Sequence, residues 1–187
     1  MRLRSFRDLS KMNYPNDGNR SLMESIIVPE ISSALNDLKY NNLKNYCIIG
    51  GLALSYYVKP RMTIDIDILF LDISDIPNEL TNFKKHRKSA FQHNVTHVEV
   101  ETLSPGFIDI PNDIAKKIIE TSNIVDNFNI ASPSGLVVSK LFRFSRQDQA
   151  DIENLIIECD VDISDYNLSD KEIEKYERII KEIPKNE

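Results

Sequence analysis

Two carboxylates one residue apart, Asp65 and Asp67, lie in the run Thr63 to Leu71, interleaved with Ile64, Ile66 and Ile68. That composition favours a β-strand, and residues i and i+2 of a strand face the same side. Both acids therefore project together from an apolar segment. Like charges so close repel each other, and burial penalises them further unless a cation lies between them. A divalent metal ion answers both problems. The alternative is an exposed edge strand with ordinary polar alternation.

Upstream, Tyr46 to Ile49 is a short apolar run, followed by Gly50-Gly51 and an apolar stretch, Leu52 to Val58, closed by Pro60. These read as a strand, a tight turn and one or two helical turns. Glycine lets backbone approach a ligand closely, and a helix N-terminus offers free N–H groups to phosphate. A Gly-Gly pair alone is more often just a turn. Here the pair follows one strand and is separated by 13 residues from Asp65-Ile66-Asp67 in a second. The combination places a phosphate cradle and a metal site in one short unit.

The stretch IGGLALSYYVKPRMTIDIDIL resembles the signature of the nucleotidyltransferase superfamily (the DNA polymerase β-like fold). That signature is a hydrophobic residue, Gly-Gly or Gly-Ser, about a dozen residues, then Asp-x-Asp between apolar neighbours. The pattern Arg61-x-Thr63-x-Asp65-x-Asp67 is similar to the minimal nucleotidyltransferases of the AbiEii-type toxin group. The resemblance implies that Asp65 and Asp67 bind two Mg²⁺ or Mn²⁺ ions with a nucleoside triphosphate. Gly50, Gly51 and Arg61 would contact the nucleotide. A third acid on a later strand would complete the metal site. It must come from HVEVETLSP, where Glu101 is the choice and Glu99, on the same face, the competitor; the family more often has Asp there. The segment SPSGLVVSKLFRFSRQDQADIENLI is similar to a second family region. In it Lys140 would approach the triphosphate, with Arg143 and Arg146 nearby and Asp148 and Asp151 as the following acids. Gln147 stands where the family commonly has Lys. The likeness runs from about Leu43 to Ile157. It implies transfer of a nucleoside monophosphate to an acceptor hydroxyl, by a toxin of a toxin–antitoxin pair acting on tRNA or another cellular target, with tRNA or another RNA as acceptor and an antitoxin protein as partners. A small-molecule acceptor and a non-catalytic nucleotide-binding or protein-interaction module are the other readings.

The elements that must position these residues follow from periodicity. Residues 1–20 are polar and turn-rich, a loose lead-in. Ser21 and Glu24 suggest a capping box, and Ile27, Ile31, Leu35 and Leu38 recur at helical spacing, with Pro29 expected to kink or restart the helix. Ile76 to about Phe91 is expected to be helical, its run Lys84 to Lys88 a solvated face or a contact for nucleic acid backbone. Thr96 to Leu103 alternates as a strand. Asn112 to Thr121 is a helix candidate. Ser132-Pro133 is a strong helix start, a further helix spans about Gln147 to Cys159, and Ser169 with Glu172 opens a last one striped by Ile173, Tyr176, Ile180 and Ile183. The expected fold is α/β (α+β): a small mixed sheet flanked by helices, with a helical C-terminal part. The expected division is 1–20 lead-in, 21–110 nucleotidyltransferase core and 111–187 helical part packed on it.

With 41% hydrophobic and 28% charged residues, the 187-residue chain can build a core. Its net charge of −6 is uneven: from Asp151 onward 12 acids face 5 bases, while the rest is nearly neutral. The acidity belongs to the tail and gives no reason to exclude nucleic acid as a partner. No apolar run reaches membrane-spanning length, and the N-terminus lacks the apolar core of a secretory signal. Cys47 and Cys159 are expected to be reduced thiols, and the protein cytoplasmic. Lys140 could alternatively snorkel from an apolar helix. His93 and His97 are four apart but lack a third ligand in register, so core or surface roles are expected. Tyr56 and Tyr57 are expected to pack.

Overall fold

The computed structural model describes residues 21–23, 28–58 and 63–183. The lead-in, Glu24, Ile27 and Arg61 lie outside them. The first helix among the described residues, α1 (Pro29–Leu38), begins at Pro29, where a kink or a restart was expected. A proline at the first helical position surrenders no needed N–H. Its buried face is Ile31, Ala34, Leu35 and Leu38. The Ser21 hydroxyl accepts the Met23 N–H at 3.1 Å and donates to Asp126 at 2.7 Å.

Strand β1 (Tyr46–Ile49) leads directly into α2 (Gly50–Tyr57), and β2 (Asp65–Phe70) carries the paired acids. The expected helix over Ile76 to Phe91 is instead a hairpin, β3 (Phe83–Arg87) and β4 (Ala90–His93). Asn82 adopts a left-handed φ of 69°, which stops a helix there. Phe83 and Phe91 then turn inward while the lysines between them face water. Strand β5 (Glu99–Leu103) follows, then α3 (Asn112–Glu120). A second hairpin, β6 (Asn123–Val125) and β7 (Phe128–Ile130), was not expected. Its turn is Asp126-Asn127, with φ of 50° and 68°. Two positive φ values in a two-residue loop match the twist of paired strands, and Asp and Asn tolerate them.

Helices α4 (Pro133–Arg143), α5 (Arg146–Glu158) and α6 (Asp170–Glu182) complete the chain. Ser132 accepts the Gly135 N–H at 3.1 Å, and Ser145 and Asp148 cap α5 reciprocally. Along α6 the buried isoleucine is Ile179, 4% exposed; Ile173 and Ile180, expected on the inner stripe, are 40% and 44% exposed. Tyr176 and Ile183 pack against the core as expected.

The seven strands form one mixed sheet in the order β3-β4-β5-β2-β1-β7-β6. β2 runs parallel to β5 and β1 parallel to β7; the other pairs are antiparallel. Ile48, Ile66, Ile68, Phe70 and Val100 are fully buried at its centre. No disulfide joins the cysteines, and burial pushes the Cys47 thiol far above its ordinary pKa. Among the described residues no helix is long and apolar enough to cross a membrane.

Candidate functional site

Register alone assembles the acidic face. Asp65 lies opposite Glu99 and Asp67 opposite Glu101 in the parallel β2–β5 pair. On the other flank Asp67 lies opposite Ile49 of β1, so the chain turns into Gly50 beside the Asp67 carboxylate. Gly50 has φ +69°, and a Cβ built there would fall 1.8 Å from Asp67 Oδ2. Only glycine meets both demands, the left-handed backbone and the close approach. Thr63 Oγ1 donates to Asp65 Oδ1 at 2.9 Å and fixes that carboxylate at the start of its strand.

These residues open onto a cavity of about 540 Å³. Asp65, Asp67 and Glu101 form one wall, Gly50 and Gly51 the turn beside it, and Lys140 and Arg143 the basic side. Leu103, Phe107, Ile108 and Phe142 supply an apolar lip that the sequence did not disclose. The only local hint is Pro105-Gly106, which marks a turn at the end of β5 and does not say what the turn faces. Glu99 is not part of the lining. It pairs with Arg87 and lies 3.5 Å from His86 Nε2, while Arg87 also reaches Glu101 at 3.5 Å.

The acidic wall is electrostatically strained. Burial first, and then the charges of Asp65 and Glu101, push the Asp67 carboxyl up to about 7, against the pull of Lys140 and Arg143. A divalent cation would reverse that balance, and three carboxylates form the oxygen donor set that Mg²⁺ takes. Among the described residues no three acids, histidines or cysteines are already drawn around one point. The carboxylates thus share a face and a cavity, and would have to converge on an ion to hold it.

A second polar cluster sits on the α4–α5 hairpin. Lys140, 5% exposed, holds Asp151 Oδ2 at 2.7 Å and Asp148 Oδ1 at 3.4 Å. Arg143 grips both Asp148 oxygens at 2.7 Å, and Gln147 donates to Asp151 Oδ1 at 2.9 Å. Burial alone would push Asp148 up; hydrogen bonds from Arg143 and Ser145, with the Lys140 charge, hold it far below the usual carboxylate range. Lys140 reaches the cavity yet is already ion-paired, so snorkelling to solvent does not describe it. Arg146 is exposed and not among the lining residues. Of the paired histidines, His93 is buried between Asp37 (2.9 Å) and Thr96 (2.7 Å), as a core residue. Tyr57 packs edge-on against Tyr56 and accepts a hydrogen bond from Asn123.

A family model described as a nucleotidyltransferase of unknown function (DUF6036) matches residues 28–181. No curated protein matches the chain.

Proposed function

Because the chain belongs to this nucleotidyltransferase family, we propose that it transfers a nucleoside monophosphate from a triphosphate to an acceptor hydroxyl, with Mg²⁺ or Mn²⁺. The observation that carries this reading is the shared cavity of Gly50-Gly51 with Asp65, Asp67 and Glu101. Asp65, Asp67 and Glu101 would hold two divalent ions. Those ions, when bound, would neutralise charge on the triphosphate and on the attacking and leaving oxygens.

The chain's own groups do the rest. Gly50 and Gly51 allow phosphate to approach the start of α2, where N–H groups are unsatisfied. Arg143 adds positive charge on the opposite side. Lys140 belongs to the nucleotide-binding set and acts through its ion pairs with Asp148 and Asp151, which fix its ammonium at the cavity wall. The acceptor oxygen bonds to the α-phosphorus as the bond to the β-phosphate oxygen breaks, and pyrophosphate leaves. The acceptor proton passes to a Glu101 carboxylate oxygen. Arg61, outside the described residues, is assigned to the nucleotide by its place in the motif.

The AbiEii-type resemblance extends the proposal to a toxin that modifies tRNA or another cellular RNA and is neutralised by an antitoxin. The test is a labelled-nucleotide transfer assay on RNAs, proteins and small molecules. Metal-dependent transfer that vanishes in Asp65→Ala/Asp67→Ala is expected; transfer undiminished in that variant, or none from any nucleotide, would sink the reading. The engagement of Lys140 by two buried acids favours one rival, a module that binds nucleotide without turnover. Calorimetry that shows tight nucleotide binding, without pyrophosphate release on any acceptor, would select it.

A further inference from the structure

The run Lys84-Lys85-His86-Arg87-Lys88 has no part in the transfer step. It is the only stretch of three or more consecutive basic residues in the chain. All five side chains are exposed, on the edge strand β3 and its turn into β4. Pairing registers show where they face. Lys84 lies opposite Gln92, itself opposite Glu99; Arg87 lies opposite Ala90, itself opposite Glu101. Lys84 and Arg87 therefore share the sheet face that carries Asp65, Asp67 and Glu101. Lys85 turns to the other face, its ammonium 4.1 Å from the centre of the Phe91 ring. A register shift between Lys85 and Arg87 brings both His86 and Arg87 to Glu99.

Edge strands often carry lysine simply to discourage pairing with another chain. One or two charges serve that purpose. Four lysine and arginine charges within five residues, in a chain of net charge −6, concentrate positive potential beside a cavity whose wall is acidic. An acidic cavity repels a polyanionic acceptor, and a cationic rim on the same face offsets that repulsion and steers the approach. Lys and Arg contacts to phosphates give affinity without regard to sequence and fix the register of the bound strand. A nucleic acid also brings the hydroxyl that transfer requires, and RNA brings one on every ribose.

We propose that the β3–β4 hairpin is the docking surface for the phosphate backbone of an RNA acceptor, which delivers a ribose hydroxyl to the Glu101 side of the cavity. The proposal rests on the transfer reading and names its acceptor class. Lys84 and Lys88 hold phosphates. Arg87, paired with Glu99 and 3.5 Å from Glu101, links this surface to the acidic wall.

The test is binding without turnover. Anisotropy of a labelled single-stranded oligoribonucleotide is titrated with protein in the absence of triphosphate, across a salt series. Lys84→Ala/Lys88→Ala should weaken binding about tenfold or more and reduce the salt slope by about 1 to 1.5. Lys84→Arg/Lys88→Arg should retain both. Unchanged affinity in the alanine variant, or no RNA binding by the wild type, overturns the proposal. So does equal competition by polyglutamate, a polyanion without phosphates. Should the alanine variant aggregate through its bared edge, Lys84→Glu, which keeps the edge charged, carries the same test: affinity falls or the proposal is wrong. Nucleotide binding is measured by calorimetry on the same proteins. Its loss with RNA binding intact would count against the transfer reading alone.

Discussion

At Gly50 a single methyl group would occupy the space of the Asp67 carboxylate. Gly50→Ala should therefore cost more than about 1 kcal/mol, since φ is positive and the contact cannot relax without moving β2. Chemical denaturation measures that cost, and transfer should fall with it because Asp67 is displaced. Asp67→Asn should act in opposite directions on the two readouts. It removes a half-buried like charge from beside Asp65 and Glu101, so the metal-free protein should gain about 1 kcal/mol, as residues held strained for function often do when replaced. Activity should disappear, and Mg²⁺ should raise the melting temperature of the wild type but not of the variant. A variant that is both inactive and less stable would show that Asp67 is a structural acid. The sequence exposed Asp65, Asp67 and the glycines because period and spacing are local properties. The choice of Glu101 over Glu99 rested on the family resemblance alone. Their side chains share a face, and what separates them is Arg87, a residue on a strand that the charge run made look helical.

Among the elements, the α4–α5 hairpin depends most on one side chain. Asp148 accepts from Arg143 and Ser145 while Lys140 lies 3.4 Å away. Replacing it by alanine removes the Arg143 and Ser145 hydrogen bonds and leaves the buried Lys140 ammonium with Asp151 alone, which costs about 1 to 3 kcal/mol. Its carboxyl titrates lower in the folded chain than in the unfolded one. The stability it supplies is thus full above the ordinary carboxylate range near pH 4 and fades as the pH falls through that range and below. Unfolding midpoints measured from pH 6 to pH 2 should drop steeply for the wild type and less steeply for Asp148→Asn. The Ser132 cap was readable from sequence, because capping uses residues within three positions. The β3–β4 and β6–β7 hairpins were not. Each strand spans only three to five residues, too short for period two to outweigh a charge run or a polar stretch. The Asp126-Asn127 turn was the one available signal, weaker than a turn containing glycine.

Across the whole molecule, the last helix guards a strained point far from its own sequence. Phe144 ends α4 in the left-handed region at φ 53°, and α6 covers its ring with Lys175 and Arg178 at 5.2 and 5.0 Å from the centroid. Lys175 also donates to the Leu141 carbonyl. Deleting residues 169–187 should lower the melting temperature and slow transfer even though nothing removed lines the cavity, because the turn between Lys140 and Asp148 loses its cover. Ile179→Ala, a smaller change on the buried face of the same helix, should cost about 2 to 4 kcal/mol. The pairing of Asp67 with Glu101 has a consequence of another kind, for how the gene can vary. Strand faces alternate with every residue, so the site is written in parity. The segment between β2 and β5 can lengthen or shorten in its loops without disturbing the carboxylates. One codon inserted between Val98 and Val100 would shift the downstream residues and send Glu101 to the opposite face, and only a second such insertion would bring the face back.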